Sequence, residues 1–215
     1  MGLSGIVGGL FMFAGDMLYY YNPVSVNLKL NMAHGADIRI MLSGLTALFG
    51  TWFYLLGLGQ VYFAFKPASA LVRNTVFVSF VAILTAYGVV HGSYVAIAVS
   101  SKLALQYHLD MEAATALASN TNLLIRYFVY LPFAILSLVF IYQVWKQKTL
   151  YPRWIILFFP LIPFLINLIA GRNLTGSAFI IIEGGFYNLI LIVFFAASTI
   201  VLWNPKQTTV KTDLK

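Results

Sequence analysis

Residues Ser177–Trp203 read SAFIIIEGGFYNLILIVFFAASTIVLW, an apolar run with one carboxylate, Glu183. A helix of roughly 20 apolar residues crosses the hydrocarbon core of a bilayer. Backbone groups in lipid must be paired inside their own segment, so such a run reads as a transmembrane helix. Asn204-Pro205 stops it. Working outward, five further stretches have the same character: Leu3–Tyr21, Ile38–Phe65, Leu71–Ser101, Thr121–Trp145 and Pro152–Ala170. Lys66-Pro67 ends the second of the six spans. The expected fold is all-α, a polytopic membrane bundle of about six transmembrane helices. It forms one domain over residues 1–205, followed by a polar cytoplasmic tail over 206–215.

Composition agrees. Of 215 residues, 61% are hydrophobic and 9% charged, whereas a soluble domain carries about a quarter charged residues. So little polar surface cannot cover a water-soluble globule. The first 15 residues are apolar, with no basic residue ahead of them and no polar domain behind, and read as part of a retained span.

Lysine and arginine set the orientation. Six spans put both termini on one side, with Lys66, Arg73, Lys146, Lys148, Arg153, Lys206, Lys211 and Lys215. Asp213 is the only acid there. On the other side Lys29, Arg39, Lys102, Arg126 and Arg172 are balanced by Asp16, Asp37, Asp110, Glu112 and Glu183. The whole net charge of +7 thus falls with the termini, which are expected to be cytoplasmic. Trp145, Trp154 and Trp203 mark the same boundary.

Two outer loops carry pattern. From Val24 to Met32 apolar and polar residues alternate, which predicts an extended segment lying on the bundle or closing a cavity as a lid. Gln106–Ser119 mixes His108, Asp110 and Glu112 with an Ala-rich run and predicts a short interfacial helix.

Ionisable side chains inside a membrane are costly and are candidates for function. At a rise of 1.5 Å per residue, Asp16 and His91 lie about 7 Å outward of their span centres, and Glu183, Arg126 and Asn167 roughly 10 Å outward. The inner half offers only Gln60 and small hydroxyls. Tyr87, His91 and Tyr94 share a helix face, as do Asp16 with Tyr20 and Glu183 with Tyr187. Gly88 and Gly92 bracket His91, and Gly184 and Gly185 follow Glu183, leaving room for a neighbouring helix or a ligand. The candidate acid–base set is therefore His91, Glu183 and Asp16, with Tyr20, Tyr87, Tyr94, Arg126, Asn167, Tyr187 and Asn188 as ligand-binding candidates. Structural alternatives stand beside it. Asp16 and Arg126 could form an ion pair between the first and fourth spans, and His91 could be a core histidine bonded to a carbonyl or tyrosine. Asp37 and Arg39 read as interface charges. Asn173-Leu174-Thr175 fits a glycosylation acceptor, but it hugs the membrane.

Several chemistries are excluded. Without cysteine there are no disulfides, thiolate nucleophiles or iron–sulfur clusters. The charges are dispersed between apolar runs rather than gathered in a patch, which excludes nucleic acid. No interior lysine exists for a retinal Schiff base, and no second intramembrane histidine for bis-histidine haem. Phosphate-binding glycine loops, nucleophile elbows and HExxH are absent; Gly5–Gly9 reads as helix packing. A metal set of His91, Glu183 and Asp16 with His34 would suit zinc or iron, but no local motif supports it. That metal set stays open beside acid–base chemistry, and the sequence names no cofactor.

The stretch Phe53–Ala68 (FYLLGLGQVYFAFKPA), the run Gly15–Tyr20 (GDMLYY) and the lone histidine within Tyr87–Tyr94 resemble an uncharacterised family of bacterial six-helix integral membrane proteins. The resemblance implies a compact helical bundle in a bacterial inner membrane and no particular activity. The expected partners are the lipid bilayer and a small lipophilic molecule bound in a polar cavity of the outer half. Acid–base conversion of that molecule is a further step open to the site. The competing expectation is a transporter or an accessory subunit of a membrane complex.

Overall fold

Long apolar runs become long helices here, one of them with Pro132 in its interior. The computed structural model describes residues 1–22, 25–170 and 175–203. Its helices are α1 (Gly2–Tyr20), α2 (Leu28–His34), α3 (Asp37–Ala64), α4 (Ala70–Gln106), α5 (Met111–Trp145), α6 (Leu161–Ala170) and α7 (Gly176–Trp203), with a 3-10 turn at Arg153–Phe158. The described residues contain no strand. Five helices, α1, α3, α4, α5 and α7, are long and apolar enough to cross a membrane. Large apolar side chains such as Leu117, Phe128, Leu131 and Leu138 of α5 face outward, as suits a lipid solvent. The expected tail, Arg172 and Asn173-Leu174 of the sequon lie outside the described residues.

The span expected over Pro152–Ala170 is broken. Phe159 precedes Pro160 and adopts extended geometry, φ −66° and ψ 135°. A residue before proline is pushed out of the helical region, which separates the 3-10 turn from the ten-residue α6. The broken element still runs along α7: Tyr151 meets Ser198 near one end, and Asn167 meets Glu183 near the other.

Two other expectations are corrected. The segment from Leu28 to His34 is helical rather than extended. Asn27 caps it, its side chain accepting from Leu30 N at 3.0 Å, and a cap outweighs a short alternation that also fits Leu28 and Met32 on one helical face. Pro23 and Val24 are outside the described residues. No separate interfacial helix forms over Gln106–Ser119. Asp110 accepts from Glu112 N at 2.9 Å and starts α5 there, ten residues before the expected Thr121.

α1 sits between α3 and α7, and α4 packs against α3 and α5. Its neighbours approach closely through glycine: a Cβ on Gly57 would lie 2.6 Å from Gly5 Cα. Gly5–Gly9 is thus packing, as its sequence suggests. α7 runs antiparallel to α1, with Gly2 facing Thr199 and Asp16 bonded to Asn188. Gly2 and Thr199 therefore lie at one end of the bundle, and α2 covers the other. Toward the Gly2 end the core is aromatic, Phe140 stacking on Phe159 at 4.4 Å with Phe80, Phe194 and Phe195 around them. Gln60 is buried there, bonded to Ser198.

Charges at the α2 end are tied down. Lys29 of α2 pairs with Glu112 of α5, and Lys102 of α4 with Asp37 of α3. Arg39 donates to Met17 O at 3.2 Å and Tyr21 O at 3.0 Å. Such exposed pairs contribute about 0–1 kcal/mol each. Their effect is placement: Lys29–Glu112 holds α2 where Leu28 meets the cavity below.

Candidate functional site

The site is assembled from five long helices, α1, α3, α4, α5 and α7. Asp16 of α1 and His91 of α4 are buried and form an ion pair, Oδ1 to Nδ1 at 3.0 Å. Asn188 of α7 donates from Nδ2 to Asp16 Oδ2 at 2.7 Å, and Tyr54 of α3 donates its hydroxyl to Asn188 Oδ1 at 2.9 Å. Both carboxylate oxygens are thereby engaged by protein.

The other ring nitrogen is engaged too. His91 Nε2 lies 3.2 Å from Ser43 Oγ, 3.2 Å from Ser43 O and 3.4 Å from Thr46 Oγ1. Ser43 Oγ donates its proton to Gly15 O at 2.6 Å, and Thr46 Oγ1 donates to Ser43 O at 2.6 Å. With both hydroxyl protons committed, Nε2 faces acceptors and carries its own proton. One more proton sits between Nδ1 and Asp16. Whether imidazolium with carboxylate or both neutral, the pair has no net charge. Glycine is required beside it: a Cβ on Gly15 would lie 2.6 Å from His91 Nε2.

Asp16 and His91 line one wall of a cavity of about 160 Å³. Glu183, Arg126, Tyr20, Tyr87, Tyr94, Tyr187 and Asn188 line it as well, with Met12, Leu28, Val90 and Gly184 between them. Glu183 Oε1 accepts from Asn167 Nδ2 at 3.3 Å. Arg126 donates from Nε to Asn122 Oδ1 at 2.9 Å and from Nη2 to the Tyr94 hydroxyl. Asn122 in turn donates to Val90 O at 3.0 Å and Ser93 Oγ at 2.7 Å, which fixes it for Arg126.

Asp16 and Arg126 do not pair; the carboxylate takes His91 instead. Among the described residues the ion pairs are Asp16–His91, Lys29–Glu112 and Lys102–Asp37. Glu183 shares the cavity with Asp16 and His91 without touching either. His34 is exposed on α2, and among the described residues no three His, Asp or Glu side chains converge to hold a metal ion. The glycines beside the site admit neighbouring helices: a Cβ on Gly185 would meet the Phe13 ring at 2.4 Å, and one on Gly88 the Thr51 hydroxyl.

A second cavity of about 70 Å³ adjoins the first and shares Tyr87, Val90, Arg126 and Tyr187 with it. Its remaining walls are apolar, including Phe80, Leu84, Phe133, Leu136 and Phe164. α5 packs on α4, and α6 contacts α7; the cleft lies between the two pairs. Phe133 of α5 meets Phe164 of α6 across it, ring centroids 6.4 Å apart. Tyr87 and Tyr187 stand 5.6 Å apart between the polar and apolar chambers.

Ser43, Thr46, Tyr54 and Asn122 are site residues that sequence reasoning passed over. A signal existed. Ser43, Ala47, Gly50, Tyr54 and Gly57 recur three or four residues apart, a small and polar stripe along one face of the second span.

The family model for a family of unknown function, DUF6796, matches residues 1–204. The chain belongs to that family. No curated protein and no solved structure matches it.

Proposed function

We propose that this member of a family of unknown function binds a small lipophilic molecule with a polar head. The head occupies the chamber of Asp16, His91, Arg126 and Glu183, and the tail the adjoining apolar cleft. The supporting observation is that the two chambers adjoin, with Tyr87, Val90, Arg126 and Tyr187 as shared walls. Pockets for small molecules are largely apolar with a few placed polar groups, and this pair divides its surfaces in that way. Binding is favoured over proton abstraction by His91, because both ring nitrogens are engaged by protein groups. Binding is also favoured over passage across the bundle. Beyond Tyr54 the buried apolar side chains Leu58, Leu84, Phe194 and Phe195 separate the chamber from the next buried polar groups, Gln60 and Ser198.

The test fills the throat. Val90→Phe adds a ring where the chambers join and removes no polar group. Protein purified in mild detergent and extracted with organic solvent should yield a stoichiometric lipophile from the wild type. The variant should lose it while remaining folded and monodisperse. Equal recovery from both would dismiss the reading.

The orientation belongs to the same proposal: both termini are cytoplasmic, in a bacterial inner membrane, and the cavity faces the outer leaflet. Its support is the excess of Lys and Arg on the side of the termini. Cysteines placed at Lys148 and Lys29 should label from opposite sides. An impermeant maleimide applied to intact cells should modify the Lys29 position alone; labelling of the Lys148 position alone would reverse the assignment, and equal labelling of both would overturn it.

A further inference from the structure

Building on this reading, we infer that the ligand is a zwitterionic lipid with a phosphate and a primary ammonium in its head. Charge accounting carries it. The Asp16–His91 pair is neutral as a unit, so the cavity's remaining ionisable side chains, tyrosines apart, are Arg126 on α5 and Glu183 on α7. They line the same chamber and form no ion pair with each other or with another described residue. Arg126 spends Nε on Asn122 and Nη2 on Tyr94, which leaves N–H groups of its fork toward the chamber. Among the described residues Glu183 has one hydrogen-bond partner, Asn167 Nδ2 at 3.3 Å, which leaves lone pairs on both oxygens.

Two opposite charges on different walls of a low-dielectric chamber are costly unless each is matched. A neutral apolar ligand would bury both without compensation. A simple anion would satisfy Arg126 and leave Glu183 unpaired beside it; a simple cation would do the reverse. A phosphate with a tethered ammonium answers both at once. The phosphate accepts from the Arg126 fork, and the ammonium donates to Glu183. The acyl tail follows past Tyr87 into the cleft of Phe133, Leu136 and Phe164. A bilayer aminophospholipid has this chemistry.

The test uses the full chain in nonionic detergent and native mass spectrometry. Short-chain phosphatidylethanolamine, phosphatidylcholine and phosphatidylglycerol are each titrated. Phosphatidylethanolamine should bind about tenfold more tightly than phosphatidylglycerol, the scale of one matched charge. Phosphatidylcholine, which keeps the positive charge but has no N–H to donate, should fall between the two. Glu183→Gln should erase the preference while keeping phosphatidylglycerol binding, Glu183→Asp should restore it, and Arg126→Gln should weaken both lipids. Equal or tighter wild-type binding of phosphatidylglycerol would overturn the inference and leave the lipophile-binding reading intact, as would a preference unchanged in Glu183→Gln. Absence of binding by all three lipids, with no lipophile lost in Val90→Phe, would remove both. The wild-type comparison decides the matter even if a variant misfolds.

Discussion

Asp16→Ala should destabilise the protein by about 3–5 kcal/mol, the cost of removing one partner from a buried ion pair. The loss is concentrated because Asp16 has two dependants. His91 Nδ1 loses its acceptor at 3.0 Å, and Asn188 Nδ2 loses its acceptor at 2.7 Å. Asn188 also receives the Tyr54 hydroxyl, so α1, α3, α4 and α7 all meet at this point. The measurement is thermal or chemical unfolding of the purified protein in detergent. Replacing the pair together, Asp16→Leu with His91→Leu, should cost less than the sum of the single changes, with a coupling of about 0.5–3 kcal/mol. Strict additivity, or an Asp16→Ala variant as stable as the wild type, would show that the pair holds nothing together.

Gly57→Leu should abolish folding. A Cβ at this position would stand 2.6 Å from Gly5 Cα and 2.7 Å from Gly5 N, atoms of the α1 backbone. Overpacking a core against side chains costs about 1–3 kcal/mol because rotamers can yield. Backbone cannot yield that way, so α1 and α3 would have to separate along their length. Separation would also withdraw Tyr54 and Ser43 from Asn188 and Gly15, dismantling the polar site. The contrast is Gly92→Ala, whose new Cβ would meet Ala47 Cβ at 3.9 Å, ordinary van der Waals contact. Size-exclusion profiles and thermal midpoints of the two variants should differ sharply: loss of monodisperse protein for the first, wild-type behaviour for the second. A folded Gly57→Leu with an unchanged midpoint would overturn the packing account.

Residues 177–203 and their counterparts needed no tertiary information to be read as helices. Lipid leaves a backbone few ways to pair its polar groups, so length and apolarity decide. Depth was legible for the same reason: the rise per residue is constant, and Asp16, His91 and Glu183 could be placed at neighbouring levels by counting. Breaks were harder. Pro160 splits the fifth span through the geometry it imposes on Phe159, and hydropathy does not register that. The Val24–Met32 alternation is too short to separate a strand from one helical turn, and the Asn27 cap decides for helix from Leu28 onward. Partnership was not legible at all. Counting residues gives height along an axis and a face relative to neighbours on the same helix, but not the rotation of one helix against another. That rotation comes from close backbone approach at Gly5, Gly8 and Gly57, and from the antiparallel packing of α7 on α1. It turns Asp16 toward His91 and away from Arg126, and brings in Ser43, Thr46 and Tyr54, hydroxyls common in any apolar span. The sequence by itself determined a membrane bundle with ionisable groups at one level. Only the tertiary structure decided which of them neutralise one another, and which two, Arg126 and Glu183, are left facing the cavity.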